Sequence, residues 1–264
     1  MLPTVTLFGC RLHTYYLCAA AAALAGLILS CLSLRKRRVR WVWAVCLPLL
    51  TAAAALIGAR LLNAAANPDA YKSFADVVSF RYTKLSLMGG LVCGVVTLVL
   101  YAALSGNDLG MIADCFTIPA AVGIVLLKVG CFCNGCCFGK PTDGPFGMVF
   151  PANASKYAFL RQLPLIKVLS DRVHPTQLYE IAGTLLSLAA ALLLVRLLRL
   201  KPGSRAAIFA GLFASARLVV LPLRSLPYPD AVIKIVYPAL YVLIILLSTG
   251  YLIWINRPGK AVRP

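Results

Sequence analysis

The amino-acid sequence predicts an all-α integral membrane protein with about seven transmembrane helices. Hydrophobic residues make up 61% of the 264 residues and charged residues only 13%, against roughly a quarter in a soluble domain. Apolar stretches recur along the whole chain, and its mean hydropathy is +0.87. Because the bilayer core offers no water to backbone groups, these stretches should be helical. They are continuous, whereas the strands of a β-barrel alternate between apolar and polar residues.

Seven segments are long enough to cross a hydrocarbon core of about 30 Å. They cover residues 14–34, 41–63, 85–104, 111–128, 176–198, 205–224 and 231–255. The first follows Arg11 and ends in a basic cluster without a small-residue cleavage site, so we expect a permanent span and not a signal peptide. Neither a linker nor an internal repeat interrupts the chain. We therefore predict one domain over 1–264, with polar outer arms near 64–84 and 129–175.

Three compact basic clusters indicate how the chain is oriented. They lie within 35–40, 196–205 and 257–263, and with seven spans all of them fall on one side of the membrane. The positive-inside rule makes that side cytoplasmic, which places the N-terminus outside and the C-terminus inside. The net charge is +18. Since the charges cluster between spans, we predict contact with anionic membrane lipid and no nucleic-acid partner.

Ionisable residues inside spans are costly and therefore mark candidate functional sites. Arg60 lies near the outer end of the second span, where a snorkelling anchor explains it as well as a function does. Arg217 lies deeper, inside the sixth span. It should face a polar cavity, where a phosphate suits its guanidinium fork.

Glycines and cysteines are concentrated in the segment 128–140, which we predict as a loop after the fourth span. Glycines let the backbone approach a ligand closely, and Lys128 and Lys140 add positive charge that would attract a phosphate. The segment contains four cysteines, and the sequence leaves open whether two of them form a disulfide. We predict no metal, because structural zinc sites usually need two separated pairs of ligands, and the adjacent Cys136 and Cys137 should not easily reach one ion.

The sequence His-Pro-Thr-Gln-Leu-Tyr-Glu at 174–180 leads into the fifth span. Glu180 is the only glutamate of the chain. It is a candidate for function, but it would also suit a helix N-terminus or a salt bridge to a nearby arginine. His174 is one of only two histidines. It could be a general base near neutral pH or only a hydrogen-bonding residue at the helix start.

Taken in order, these motifs resemble those of the prolipoprotein diacylglyceryl transferases, bacterial membrane enzymes with seven spans. The similar positions are 12–15, 58–61, 86–91, Asp114, the glycine-rich segment, 174–180, Arg217 and Arg224. The resemblance implies catalytic roles for Tyr15, Lys128, His174, Glu180 and Arg217. It implies substrate binding by Arg60, Gly89, Gly90, Asn134, Gly135, Gly139, Tyr179 and Arg224.

Members of that family transfer the diacylglyceryl group of phosphatidylglycerol to the thiol of a lipobox cysteine in a preprolipoprotein and release glycerol phosphate. The resemblance therefore implies phosphatidylglycerol and a preprolipoprotein as partners, no cofactor, and a location in the bacterial cytoplasmic membrane. The residues suit this chemistry. Fixed positive charge from Arg60, Lys128 and Arg217 would stabilise a phosphate leaving group, and the acceptor thiol must become a thiolate.

The chain departs from the family pattern at five positions. Met88 replaces a histidine, Lys128 an arginine, Cys131 an asparagine, Cys136 an acidic residue and Leu221 a glutamate. Because the family histidine is replaced, our hypothesis is that His174 takes over the role of the base. Three alternatives remain open: a related lipid-dependent transferase with another acceptor, a lipid-binding protein without catalysis, and a thiol-redox or metal protein built on the cysteines of 131–137.

Overall fold

A computed structural model describes residues 4–7, 10–66, 87–150, 172–226 and 230–257 of the chain. Most of the predicted outer arm 64–84 and the stretch 151–171 of the second arm lie outside the described residues. The side chain of Met88 and the basic residues Lys260 and Arg263 of the C-terminal tail lie outside them as well.

Seven α-helices in the described chain correspond to the seven predicted spans. They are α1 (Thr14–Lys36), α2 (Trp41–Ala66), α3 (Leu87–Ser105), α4 (Leu109–Asn134), α5 (Thr176–Leu197), α6 (Ser204–Val220) and α7 (Tyr237–Asn256). Six helical segments are long and apolar enough to cross a membrane, and α3 contains a shorter apolar helix. The prediction of an all-α integral membrane protein is thus confirmed.

Two of these helices are joined to short turns of different geometry. Helix α6 continues into a 3-10 turn, Leu221–Leu223, where Pro222 has no N–H to donate to the α-helical ladder. Arg224 follows with an extended backbone. On the other side of the connection, a π-helical turn, Val232–Val236, leads into α7.

The chain begins with a small β-hairpin that the sequence analysis did not predict. Strands β1 (Thr4–Leu7) and β2 (Cys10–His13) pair antiparallel, with Thr4 opposite His13 and Leu7 opposite Cys10. Each strand has only four residues, too few to produce a recognisable pattern of hydropathy. Strand β2 leads directly into α1.

The described chain forms two compact units, of which residues 27–116 are one. Within it, α2 and α3 pack at very short range because glycines face each other. A Cβ on Gly58 would collide with the carbonyl oxygen of Gly89 and the sulfur of Cys93. A separate buried cluster in this unit contains Leu34, Leu47, Tyr101 and Ile112, together with Val39, Ala44 and Cys115.

The second unit comprises residues 1–26 and 117–264. Helix α6 packs against both α5 and α7, and a buried cluster contains Ala121, Ala191, Ile208 and Phe209. A Cβ on Gly183 of α5 would lie 2.9 Å from the Cβ of Ala216 on α6, so a glycine is needed for this close approach. The prediction of a single domain over 1–264 stays a prediction.

The segment 128–140 is only partly the loop that the sequence suggested. Helix α4 continues to Asn134, so the first half of the segment is helical and the chain leaves the helix at Gly135. The prediction was wrong here because a segment rich in glycine and cysteine has the composition of a loop. In a span they are tolerated within a helix, whose backbone groups must bond internally.

Candidate functional site

The end of α4 is shaped by a helix-terminating turn at Gly135. Gly135 has a φ of +68°, and its N–H donates to the carbonyl of Phe132 at 3.1 Å. The N–H of Cys136 reaches back to the carbonyl of Cys131 at 3.0 Å. These two bonds form a Schellman motif, in which a left-handed residue, usually glycine, reverses the chain. Cys136 is therefore folded back over Cys131.

The first turn of α5 holds the segment that follows. The Thr176 hydroxyl donates to the carbonyl of Cys137 at 2.8 Å, and the Gln177 amide donates to the carbonyl of Cys136 at 2.6 Å. Both side chains are fully buried. The sequence analysis gave neither residue a role, although both belong to the 174–180 motif. They anchor the cysteine-containing turn to the helix that carries Glu180.

Gly139 lies where three parts of the chain meet. Its N–H donates to the carbonyl of His174 at 2.8 Å, and it forms an antiparallel bridge with Arg224. A Cβ on Gly139 would collide with the carbonyl oxygen of Leu223 and lie 2.8 Å from the Cβ of His174. Glycine is therefore required for packing here, which brings the segment after α4, the start of α5 and the turn after α6 together.

Glu180 is the centre of a buried ion cluster. Its Oε2 contacts the Nζ of Lys128 and lies 2.6 Å from Nη1 of Arg217. Its Oε1 lies 3.3 Å from Nη1 of Arg224. The carboxylate is only 2% exposed, and the cations are 11–16% exposed. The salt bridge that the sequence left as one alternative for Glu180 is thus present, with three partners.

The cluster contains more positive than negative charge. Three cations pair with one carboxylate, which leaves two positive charges uncompensated among these four side chains. An unbalanced charge in a low-dielectric site is costly unless a counter-charge joins it. The arrangement is therefore suited to bind an anion, and arginine guanidinium groups are well matched to phosphate.

Arg217 is held by aromatic residues as well as by Glu180. Its guanidinium hydrogen-bonds the Tyr241 hydroxyl and lies 5.9 Å from the ring centroid of Phe213. Tyr241 is buried. These contacts come from α6 and α7 and hold the guanidinium in place beside the carboxylate.

Three cysteine sulfurs converge beside this cluster. The Sγ atoms of Cys131, Cys136 and Cys137 all lie within 4.8 Å of one another. Cys137 has a φ of +64°, a left-handed conformation that lets the side chains of two adjacent residues point the same way. We expected that the adjacent Cys136 and Cys137 would not easily reach one ion, but the backbone turns between them and brings their sulfurs within 4.8 Å.

The two thiols beyond the end of α4 differ in acidity. Hydrogen bonds from Cys131 and Cys136, together with the nearby charges of Lys128 and Arg224, hold the pKa of Cys137 well below its usual range. The hydrogen bond with Cys131 lowers the pKa of Cys136, but its bond with Cys137 and burial outweigh that effect and raise it to about 11. Cys137 is thus the more acidic of these two thiols. The Tyr15 side chain lies within electrostatic range of all three cysteines.

His174 is engaged with Tyr179 rather than with the ion cluster. Its Nδ1 lies 3.3 Å from the Tyr179 hydroxyl, and the two ring centroids are 6.1 Å apart. This contact occupies one ring nitrogen, so only Nε2 is left for proton transfer. The structure brings these two predicted residues together, while a catalytic role for either stays a prediction.

Three further candidates belong to the unit 27–116. Arg60 is buried in α2. Gly89 and Gly90 lie on the face of α3 that packs against α2, and a Cβ on Gly89 would collide with the carbonyl of Gly58. Close helix packing thus accounts for these glycines. Substrate binding by Arg60, Gly89 and Gly90 stays a prediction.

Comparison with known proteins identifies the family. A family model described as prolipoprotein diacylglyceryl transferase matches residues 3–255, nearly the whole chain. The chain belongs to this family.

Several curated relatives carry the name phosphatidylglycerol–prolipoprotein diacylglyceryl transferase. The protein of Synechococcus elongatus is 27% identical over 219 residues, which are 82% of this chain and 72% of the relative. That of Thermosynechococcus vestitus is 27% identical over 226 residues, 84% of this chain and 80% of the relative. For the Caulobacter vibrioides relative the alignment covers 68% of this chain and only 60% of the relative, at 27% identity.

Proposed function

We propose that this protein transfers the diacylglyceryl group of phosphatidylglycerol to the thiol of a lipobox cysteine in a preprolipoprotein. Membership of the prolipoprotein diacylglyceryl transferase family supports the reaction class. The single observation that carries the proposal for this chain is the buried ion cluster at Glu180. Its three cations face one carboxylate, so two positive charges of the cluster are uncompensated. A phosphodiester headgroup would supply the missing negative charge.

The cluster would act mainly on the leaving group. When the thiolate attacks the glyceryl carbon, the carbon–oxygen bond breaks and its electron pair leaves with glycerol phosphate. Negative charge then grows on the phosphate, where Lys128, Arg217 and Arg224 would stabilise it without having to reorganise. Glu180 serves to hold the three cations in place, since they would otherwise repel one another.

The acceptor thiol also needs to lose its proton. We propose Nε2 of His174 as the acceptor of that proton, because Met88 stands where the resemblance to the family implies a histidine. The contact between Nδ1 of His174 and the Tyr179 hydroxyl would orient the ring for this task. Full activity of a His174→Ala protein would rule this role out.

The place of the reaction follows from the spans. Helices long and apolar enough to cross a membrane carry all four members of the cluster or lead directly into them, so the lipid would reach the site sideways from the bilayer. We propose the bacterial cytoplasmic membrane, with the N-terminus outside and the C-terminus in the cytoplasm, as the positive-inside rule predicts.

Complementation tests the proposed function directly. A bacterial strain depleted of its own diacylglyceryl transferase receives the wild-type gene, Arg217→Ala or Lys234→Ala. Lys234 is an exposed cation paired with Asp230 and serves as the matched control. We expect rescue by the wild type and Lys234→Ala but not by Arg217→Ala, with all three proteins present in the membrane at equal amounts.

Purified protein separates the donor from the acceptor. Vesicles containing phosphatidylglycerol should release glycerol phosphate when a lipobox peptide is added, whereas vesicles of phosphatidylethanolamine, or a peptide with serine in place of cysteine, should not. Turnover of phosphatidylglycerol with water or another thiol, but never with the peptide, would overturn the proposed acceptor.

A further inference from the structure

The convergence of Cys131, Cys136 and Cys137 has no part in the reaction described so far. Their sulfurs lie within 4.8 Å of one another, and the nine cysteines whose side chains are described are all free thiols. Two independent features of the backbone produce the convergence: the Schellman turn at Gly135 and the left-handed conformation of Cys137. Buried hydrogen bonds from Thr176 and Gln177 hold the turn in this form.

The spacing of the sulfurs suits a tetrahedral ion. With zinc–sulfur bonds of about 2.3 Å, two sulfurs on one zinc are about 3.8 Å apart. The observed limit of 4.8 Å means that each sulfur would shift by no more than about 1 Å to bind. Thiolates are soft ligands that select zinc over magnesium or calcium, whose preferred ligands are oxygens.

The surrounding charge also suits such an ion. Three thiolates and one divalent zinc carry a single net negative charge, and the ion cluster at Glu180 has positive charge to spare. Lys128 and Arg224 interact electrostatically with Cys137, so they adjoin the place where this negative charge would lie. The buried Oε1 of Gln177 accepts no hydrogen bond from the described residues, which leaves a polar acceptor next to the turn for an incoming ligand.

We propose that Cys131, Cys136 and Cys137 bind one zinc ion, and that the fourth position of this ion takes the thiol of the acceptor cysteine. The part concerning the acceptor rests on the proposed function, whereas the metal site does not. Of the three cysteines, Cys137 is the exposed residue, so a substrate would approach the ion from its side. Catalytic zinc sites have this composition, three protein ligands and one position for a substrate or water.

Zinc would solve the problem left by the missing family histidine. A thiol that coordinates a metal loses its proton outright, and here the proton passes to Nε2 of His174, the base of the proposed function. The sulfur lone pair then forms the carbon–sulfur bond at the glyceryl carbon as the carbon–oxygen bond breaks, and glycerol phosphate leaves with that electron pair. A thiol free in water has a pKa near 8.5 and is only about 3% thiolate at neutral pH, so coordination raises the reactive fraction about thirtyfold.

Metal analysis of the full-length protein purified in detergent without chelator tests the site itself. We expect about one zinc per chain in the wild type and in Cys133→Ser, and its loss in Cys131→Ser and Cys137→Ser. Cys133 is the matched control, because it lies in the same segment but outside the group of three sulfurs. Cobalt in place of zinc should give thiolate-to-cobalt charge-transfer absorption in the same two proteins that hold zinc.

Three results would overturn the zinc site. One is the absence of zinc together with failure to bind added zinc or cobalt. Another is equal zinc content in the Cys131→Ser and Cys133→Ser proteins, which would mean adventitious binding. The third is a disulfide between any two of the three cysteines, found by peptide mapping of protein prepared without reductant.

Chelation followed by zinc addition tests the role of the ion without changing the sequence. We expect the rate of peptide lipidation to fall at least about tenfold on zinc removal and to recover when zinc returns. Lipidation at an unchanged rate in zinc-free protein would sustain the proposed function and overturn this inference. Bound zinc without lipidation of any thiol would sustain the metal site and overturn its role together with the proposed function.

Discussion

At the scale of single residues, the site depends on one carboxylate. Glu180 contacts Lys128, Arg217 and Arg224, which lie on α4, α6 and the turn after α6. The cations cannot stay close together without it, since like charges in a buried site repel strongly. Its position in the first turns of α5 also places the carboxylate near the positive end of the helix dipole.

Glu180→Gln should therefore destabilise the protein. Removing one partner of a buried ion cluster leaves uncompensated charge and costs about 3–5 kcal/mol. We expect a clearly lower melting temperature in detergent, measured by tryptophan fluorescence. Asp230→Asn removes an acid from an exposed pair, in which both side chains are more than 70% exposed, and should leave the melting temperature unchanged. Equal effects of the two substitutions would contradict the structural role of Glu180.

Arg217→Lys should separate charge from geometry. Lysine keeps the positive charge but cannot bond Glu180 and Tyr241 at once through a planar fork. A hydrogen bond to a charged group is worth about 1.5–3 kcal/mol, so the rate of lipidation should fall at least about tenfold. The expected contrast is Lys128→Arg, which keeps the positive charge and adds a guanidinium fork, and should lower the rate by less than about twofold. Rates for Arg217→Lys that match the wild type would mean that charge alone suffices.

At the scale of elements, glycines decide how closely helices and turns approach. Gly58 and Gly89 let the backbones of α2 and α3 touch, while substrate binding by Gly89 and Gly90 stays a prediction. Small residues at helix interfaces serve the same purpose in membrane proteins generally. In the other unit, Gly139 allows the turn after α6 to bridge the segment after α4.

Gly58→Ala should weaken the packing of α2 on α3. Its Cβ would collide with backbone and with Cys93, and overpacking of this kind costs about 1–3 kcal/mol. Gly94→Ala on the same face is the control, because its Cβ would lie 3.7 Å from Thr51, an ordinary contact distance. Thermal unfolding in detergent should show a lower melting temperature for Gly58→Ala alone. An unchanged melting temperature for Gly58→Ala would show that the two helices can move apart at no cost.

At the scale of the whole molecule, the pattern of charge predicts orientation. Helices α1 to α7 follow one another as the seven predicted spans, and the basic clusters near 35–40, 196–205 and 257–263 alternate with them in the way that the positive-inside rule requires. The rule therefore predicts that the segment after α4, and with it the cysteines and Gly139, lies on the outer side.

Reporter fusions should reproduce this orientation. Alkaline phosphatase, which is active only outside the cytoplasm, should be active when fused after Phe150 and inactive when fused after Lys201. A fluorescent protein at the C-terminus should fluoresce, because that end is expected in the cytoplasm. A C-terminal fusion that is present in the membrane but does not fluoresce would mean either an even number of spans or the opposite orientation.

The sequence by itself determined the membrane class, the seven helices and the identity of the residues on which the site depends. Hydropathy and charge are properties of local segments, so they can be read without knowing the fold. Arg217 was singled out because an ionised side chain in a span is costly wherever it lies. Lys128 was singled out as a positive charge beside the glycine-rich segment, and Glu180 as the only glutamate, at the start of a span. The motif at 174–180 and the glycine-rich segment indicated the resemblance to the family.

Only the tertiary structure decided which of these residues meet. The partners of Glu180 come from three elements distant in sequence, and no local pattern pairs them. The convergence of Cys131, Cys136 and Cys137 depends on two left-handed backbone conformations, at Gly135 and Cys137. Glycine adopts a left-handed conformation as one of several, and cysteine adopts it rarely. The amino-acid composition therefore predicts the left-handed conformation of neither Gly135 nor Cys137. The close packing of Gly58 on Gly89 follows from helix contacts for the same reason.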